Sequence, residues 1–295
     1  MRITHITILI AAMLAGPAAA RTAPHAVSQA ATQTAKPAAP ATGLAAEEIG
    51  RWPAPEALQG TAVDAEHFYA VVNYAIGKYR KSDGEKVAAW RGGKGGPHEH
   101  LNSCYADADR LVCAHSNFPD LPMASSIEYF DKATLAPAGS RALGFALGSL
   151  TWAEKRGDEW WAGFANYDGK GGEPNRPHTY GSVARFDAEW RLLEQWLLPE
   201  TVLERMAPHS ASGGAFGPDG LLYLMGHDRK ELYAVALPEA GVRLVHRATI
   251  AVNAEGQAFA WDRSQPEARI LYAISRPNRE VRAFRIPTLP PLDGE

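Results

Sequence analysis

Six of the ten histidines in this 295-residue chain stand in short polar segments between apolar runs. They are His98 and His100 in Pro97-His98-Glu99-His100, His115 in His115-Ser116-Asn117, His178, His209 in Pro208-His209-Ser210, and His227 in His227-Asp228. Similar segments hold Asn73-Tyr74, Asn166-Tyr167-Asp168, Glu255-Gly256-Gln257 and Ser275-Arg276. A neutral imidazole can take a proton near pH 7, and a phenol or second imidazole can return it elsewhere. An arginine can grip a carboxylate with two parallel hydrogen bonds. Any one histidine alone is more often a hydrogen-bonded loop residue than a catalyst. The set carries the argument.

Three chemistries could use it. In proton transfer, His115 and His227 occupy comparable places, with Asp228 beside the latter and His100 nearby, and Tyr74 or Tyr167 is the acid partner. Arg276 would hold a substrate carboxylate, with Asn102, Asn117, Asn166, Asp168, His209, Glu255 and Gln257 as further contacts. This suits an isomerase or lyase acting on a small organic acid or sugar acid. In a metal site, His100, His115, His209 and His227 would converge on Zn²⁺ or a redox metal, with Glu255 or Asp228 behind them. No motif demands another cofactor. In glycoside hydrolysis, Asp168, Asp228 and Glu255 would supply the two carboxylates, which leaves the histidines unexplained. A non-enzymatic binding protein is the fourth reading.

Residues so far apart meet only if a repeating scaffold gathers them. Ile49-Gly50-Arg51-Trp52 followed by Gln59 to Asp64, Glu194 to Leu198 followed by Ser212 to Phe216, and Ala248 to Val252 followed by Glu255 to Asp262 share one pattern. An apolar second strand follows each (Phe68 to Val71, Leu221 to Met225, Ile270 to Ile274), then a third (Ile76 to Tyr79, Leu232 to Ala236, Val281 to Ile286). Two further units span Asn102 to Leu143 and Leu150 to Leu197. Five four-stranded units of about 45 residues match the blades of a β-propeller. The last unit lacks a fourth strand, and Glu48 to Trp52 lacks a sheet, so the N-terminal strand is expected to complete the last blade and close the ring. One helical turn is expected near Pro199 to Met206. In antiparallel blades the second-to-third and blade-to-blade connections share one end. The polar segments above all fall in that class, so they are expected to surround one mouth of the central channel.

The ends differ from the body. Arg2, the apolar stretch Ile6 to Ala15 and the Ala18-Ala19-Ala20 run read as a cleavable export signal over residues 1–20. An Ala/Pro/Thr-rich segment over 21–45 reads as a disordered tether, 46–287 as the propeller, and 288–295 as a C-terminal tail. Cys104 and Cys113 flank the polar turn Asp107 to Arg110, and in an oxidising compartment they would form a cross-strand disulfide. A net charge of −3 gives no reason to expect nucleic acid, and the leader is too short to remain as a membrane span. The expected product is a periplasmic or secreted monomer with a small-molecule ligand.

The runs His115-Ser116-Asn117-Phe118-Pro119, Ser125-Ser126-Ile127-Glu128, Trp160 to Asp168, Ser212-Gly213-Gly214, Gly217 to Tyr223 and Gly226-His227-Asp228 carry a resemblance. Over residues 46 to 287 the chain resembles exported bacterial propellers often labelled cycloisomerase-like, after enzymes that close muconate-type acids into lactones. The resemblance implies a propeller acting on a small acid. Where those chains carry histidine before the Tyr-Asp pair, this one has Asn166.

Overall fold

The computed structural model describes residues 39–290, apart from Lys94 and Ala146. The export signal and residues 21–38 of the tether lie outside the described residues, as does the end of the tail from 291.

Two strands precede the repeats: β1 (Ala41–Ala45) and β2 (Glu47–Pro53). The first blade holds β3 (Gly60–Val63), β4 (His67–Val72), β5 (Ala75–Arg80) and β6 (Lys86–Arg91). The second holds β7 (Leu101–Asp107), β8 (Arg110–Ser116), β9 (Ser125–Asp131) and β10 (Pro137–Gly144). The third holds β11 (Ser149–Arg156), β12 (Glu159–Ala165), β13 (Ser182–Phe186) and β14 (Leu192–Leu197). Helix α1 (Glu200–Met206) then leads to β15 (Gly213–Phe216), β16 (Leu222–Met225), β17 (Glu231–Ala236) and β18 (Val245–Ala251). The last blade has β19 (Ala260–Trp261), β20 (Ile270–Ser275) and β21 (Glu280–Arg285), and β2 pairs antiparallel with β21 as its fourth strand. The protein is a five-bladed β-propeller.

Residues 41–45 correct the tether reading. They form β1, which adds in parallel to the outer edge of β18. Leu44 pairs with Ile250 and packs on the core between the fourth and fifth blades, so this short segment finds apolar surface that its composition alone did not promise.

Burial explains the strand sequences. The middle strands are buried on both faces, because each blade is sandwiched between two others, and so they read as continuous apolar runs such as Phe68-Tyr69-Ala70-Val71. The outer strand β2 alternates exposed and half-buried positions, as a sheet edge facing solvent should. Five apolar clusters fill the five spaces between blades. The last unites Phe68, Ala70 and Tyr79 of the first blade with Tyr272, Ile274 and Val281 of the fifth, and Trp52 of β2 packs against it.

A five-membered ring brings the inner strands close together. A Cβ at Gly213 would stand 2.5 Å from the Ala258 Cα, and one at Gly60 2.7 Å from the Ala258 Cβ. Side chains also bridge neighbouring inner strands: Asn102 Nδ2 donates to the Leu150 carbonyl (2.7 Å), Ser103 Oγ to Thr151 (2.9 Å) and Thr151 Oγ1 to Ala211 (2.9 Å). Cys104 and Cys113 are opposed in register on β7 and β8 and form a disulfide, as the spacing predicts. Helix α1 buries Val202, Leu203 and Met206. No described helix is long and apolar enough to cross a membrane.

Gly213→Ala is expected to cost about 1–3 kcal/mol, because the clash is with backbone that can yield only by spreading the ring. Replacing both cysteines by serine is expected to cost about 2–3 kcal/mol through the freed short loop. Urea unfolding followed by tryptophan fluorescence would measure both, and an unchanged midpoint for Gly213→Ala would show that the inner strands are not so tightly fitted.

Candidate functional site

A cavity of about 270 Å³ opens at the end of the ring formed by the second-to-third and blade-to-blade connections. All five blades line it. Arg276 and Lys170 bring cations, and His100, His209 and His227 bring imidazoles. Gln59, Asn73, Asn102 and Gln257 present carboxamides, while Tyr167 and Phe118 form an aromatic wall with ring centroids 5.1 Å apart. Among the described residues no carboxylate lines the cavity. Gln257 holds a left-handed backbone at φ 68°, an uncommon conformation for a side-chain-bearing residue, at the rim of this cavity.

One carboxylate stands just behind the lining and organises three basic side chains. Asp228 bonds His227 Nδ1 through Oδ1 (2.6 Å) and His209 Nδ1 through Oδ2 (3.2 Å), and the two imidazoles stack with centroids 4.2 Å apart. Helix α1 sets up this pair, since the His209 amide bonds the Met206 carbonyl at its end. Arg276 Nη1 lies 3.2 Å from His227 Nε2. A guanidinium can only donate, so Nε2 accepts and the ring proton of neutral His227 sits on Nδ1, pointing at Asp228. Burial lowers the His227 proton affinity, and His209 and Arg276 add to that against Asp228. Partial burial works to raise the Asp228 carboxyl, but the His227 hydrogen bond and the nearby imidazoles outweigh it and hold it below the usual carboxylate range. Among the described residues the His209 ring makes no hydrogen bond beyond that to Asp228, and it meets the Tyr167 ring edge-on at 6.1 Å.

Arg276 is the least compensated of these groups. Among the described residues no carboxylate lies within ion-pair distance of its guanidinium, and its buried Nε has no hydrogen-bond partner. Burial pulls it below the usual arginine value, with Asp228 opposing from behind His227. His100 is buried against Phe118, and burial, reinforced by His115, brings its pKa down to about 4. Burial pushes the Tyr167 phenol up to about 12, partly offset by the Ser149 hydroxyl. Both are neutral at pH 7.

The structure therefore gathers His100, His209, His227, Tyr167, Asn102, Gln257 and Arg276, with Asp228 behind them. It does not bring the remaining candidates to the cavity lining. His115 lies within β8 rather than beyond it, and its side chain turns to the blade interface. Nε2 accepts the Glu99 amide (3.1 Å) and Nδ1 bonds Ser126 Oγ (2.9 Å), which in turn donates to Glu128. Its comparison with His227 fails because His227 lies past the end of β16. Asn117 spans its own loop, donating to Pro122 O and accepting from Ala124 N. Asn166 is buried and donates to the Tyr180 carbonyl (3.3 Å). Asp168 accepts both the His178 amide (2.9 Å) and its Nδ1 (2.6 Å) on a single 3-10 turn, His178–Tyr180. Glu255 accepts from Ser275 and pairs with Lys230 (3.0 Å). Tyr74 instead carries the Arg91 guanidinium over its ring.

Two chemistries lose their geometry here. The four-histidine metal set does not assemble: among the described residues the only ligand-type cluster is His209, His227 and Asp228. In that cluster His227 Nδ1 carries a proton, and the Arg276 cation adjoins the other ring nitrogen, so the arrangement does not fit a divalent ion. Glycoside hydrolysis needs one carboxyl with a raised pKa. The His178 amide holds Asp168 low, Asp228 is held low as above, and at Glu255 the Ser275 and Lys230 hydrogen bonds outweigh the raising effect of burial. Asn73, from a segment the sequence places at this mouth, lines the cavity, whereas sequence reasoning missed Gln59, Thr151, Lys170 and Ser212 as lining residues. Gln59 and Ser212 each precede a glycine that opens an inner strand, and that shared place in the repeat was the available signal.

No protein-family model matches this sequence, and no curated protein matches it. Among solved structures, a chain of the Mitotic Checkpoint Complex is 12% identical with a TM-score of 0.46, covering 96% of this chain and 99% of that one. The Myceliophteria thermophila Cps50 (Swd1) β-propeller domain is 11% identical (TM-score 0.42, 78% and 84% covered). Kuenenia stuttgartiensis hydrazine synthase is 14% identical (TM-score 0.43, 81% and 71% covered).

The depressed His100 predicts acid lability. Between about pH 6.5 and 4 the unfolded chain takes up a proton that folded His100 refuses, so stability falls as pH drops through that window. The His100 contribution amounts to about 3 kcal/mol, and His115, His227 and His246 shift in the same direction through burial. Urea midpoints across that range should fall in the wild type and fall less in His100→Gln. Parallel curves for the two proteins would contradict a neutral buried His100.

Proposed function

We propose that this protein is an exported propeller of the cycloisomerase-like kind that binds a small organic acid or sugar acid at this mouth and moves a proton on it. The observation that carries this reading is Arg276: a half-buried guanidinium, fixed by His227 and, among the described residues, without a carboxylate partner, beside a cavity lined by a second cation and no acid. A ligand carboxylate supplies the missing anion. The leader-like N-terminus and the disulfide support export. One chain supplies every wall of the cavity, so a monomer suffices.

The geometry redistributes the roles. His227 is a positioning residue, since both ring nitrogens are engaged and its neutral form orients Arg276. His209 is the proton acceptor: Asp228 binds Nδ1 and stabilises the imidazolium that forms when the other nitrogen takes a substrate proton. Tyr167, protonated at pH 7, is the donor that hydrogen-bonds developing charge on the substrate or returns a proton, which is net isomerisation or elimination. The carboxamides of Gln59, Asn73, Asn102 and Gln257 suit hydroxyl and carbonyl groups on the rest of the ligand.

Calorimetric titration with a panel of uronates, aldonates and unsaturated diacids tests the binding, and solvent deuterium incorporation followed by NMR tests the proton transfer. Arg276→Met is expected to weaken carboxylate binding about 10- to 100-fold, the effect of one charge-assisted hydrogen-bonded pair. His209→Asn should abolish deuterium incorporation while changing affinity and Tm little, and His115→Asn should leave affinity intact. Equal binding by Arg276→Met removes the carboxylate anchor. Binding with no deuterium incorporation in the wild type turns the reading to a non-enzymatic binding propeller.

A further inference from the structure

The belt of side chains between inner strands divides the channel, and the opposite end is a second cavity of about 210 Å³ lined by all five inner strands. Its walls are aromatic: Tyr105 and Trp152 lie on β7 and β11, and Phe259 and Trp261 lie at and beside β19. Glu154 of β11 also lines it, with a side chain only 4% exposed. One of its oxygens accepts the Phe216 amide at 2.9 Å, and the other meets Arg263.

Arg263 differs from its partner. It reaches in from the turn after β19, its side chain is 45% exposed, and it also bonds the Phe216 carbonyl at 3.1 Å. The chain thus lays one of its own guanidinium groups across a buried acid at the rim of an aromatic cup. The Tyr105 hydroxyl, part-buried beside this acid, makes no hydrogen bond among the described residues. A buried carboxylate, an unused phenol oxygen and aromatic faces together form a receptor for a compact N–H cation. We propose that this far mouth is a second ligand site, specific for a small organic cation with an ammonium or guanidinium head, which takes the place of Arg263 on Glu154.

Displacement is feasible because the Arg263 side chain is half-exposed and can return to water when it leaves Glu154. The incoming cation instead leaves water for the aromatic wall. An anion is refused here, since Glu154 occupies the depth of the cup. The two mouths are thus opposite in preference. Burial raises the Glu154 carboxyl to about 7, with Arg263, the Phe216 amide and Arg156 opposing, and Tyr105 and Asp64 are further titratable groups lining the cup. Cation binding therefore weakens as pH falls below about 7.

The test is calorimetric titration of the whole protein with methylguanidinium and n-butylammonium chloride at about pH 8.5, where Glu154 is ionised. Butyrate and n-butanol serve as the anionic and neutral controls. Tryptophan emission is expected to change with the cations, because Trp152 and Trp261 form the wall. Arg263→Ala should bind about threefold or more tightly, having lost the internal competitor. Glu154→Gln should bind at least about tenfold more weakly, and Arg276→Met at the other mouth should bind as the wild type does. No saturable binding by either the wild type or Arg263→Ala overturns the proposal, as does equal binding of n-butanol. Should Glu154→Gln fail to fold, Arg263→Ala still decides, because affinity no tighter than the wild type overturns the displacement.

Discussion

A four-stranded antiparallel sheet with both faces apolar has no stable existence alone, because each face exposes side chains that water disfavours by about 25 cal/mol per Å². In this protein every such face is covered by the next blade, and the chain has as many interblade cores as blades. The contact between Phe68, Tyr79, Tyr272 and Ile274 is the one that joins sequence-distant ends, and without it two whole sheet faces would lie open. Edge strand β2, placed beside β21 by the chain that enters the first blade, supplies the remaining hydrogen bonds. Ring closure is thus a matter of apolar area and of backbone pairing at once. The stacking of Trp52 on Tyr272, with centroids 5.8 Å apart, couples the two.

Five blades make a tight ring, and its tightness has chemical consequences. Inner strands approach closely enough that glycine is required at Gly60 and Gly213, and side chains such as Asn102 and Thr151 reach the next strand's carbonyl. Polar groups in the centre are therefore spent on joining strands, leaving two blind cups instead of a pore. In the connection-lined cup a single carboxylate, Asp228, serves two imidazoles, and one of these fixes Arg276. Proton positions follow from donor counting. Because arginine never accepts, the tautomer of His227 is determined, while the His209 ring is held by Asp228 at Nδ1.

Much of this architecture is legible in the sequence, because the period of about 45 residues and the doubly buried middle strands leave a strong apolar signature. The strands Ala75–Arg80 and Ile270–Ser275 fall within a residue or so of the ranges that pattern predicts. Sorting connections by end also places His100, His209, His227 and Arg276 together. The misreadings share a physical cause. His115 sits inside β8, where a step of one residue sends a side chain to the other face, so equal distance from a turn does not mean equal direction. Asn117 and Asn166 satisfy backbone groups of their own loops, a role that small polar residues take wherever a connection leaves carbonyls unpaired. The acids Asp168 and Glu255 are engaged by His178 and Lys230, partners distant enough that only coordinates reveal them. β1 was hidden because its five residues carry little apolar area until the exposed edge of β18 provides a template.

The strand-lined cup was illegible for a different reason. Glu154 interrupts Ser149–Arg156, a strand whose other inward residues read as core, and nothing in Trp152-Ala153-Glu154 distinguishes a solvated hairpin end from a buried acid. Once placed, that acid is expensive. A fully buried carboxyl costs several kcal/mol of desolvation, and a half-exposed arginine returns only part of it. An apolar residue of similar size would fill the same space against Trp152 and Phe216 without that cost, so stability does not account for Glu154. The aromatic walls argue the same way, since a ring that needed only to be filled could be filled with aliphatic side chains and would then have no cup at this end. What the arrangement does supply is a preformed anionic point held by rigid strands, with its reorganisation cost already met in folding, and that is the condition under which a buried charge is worth most to a ligand.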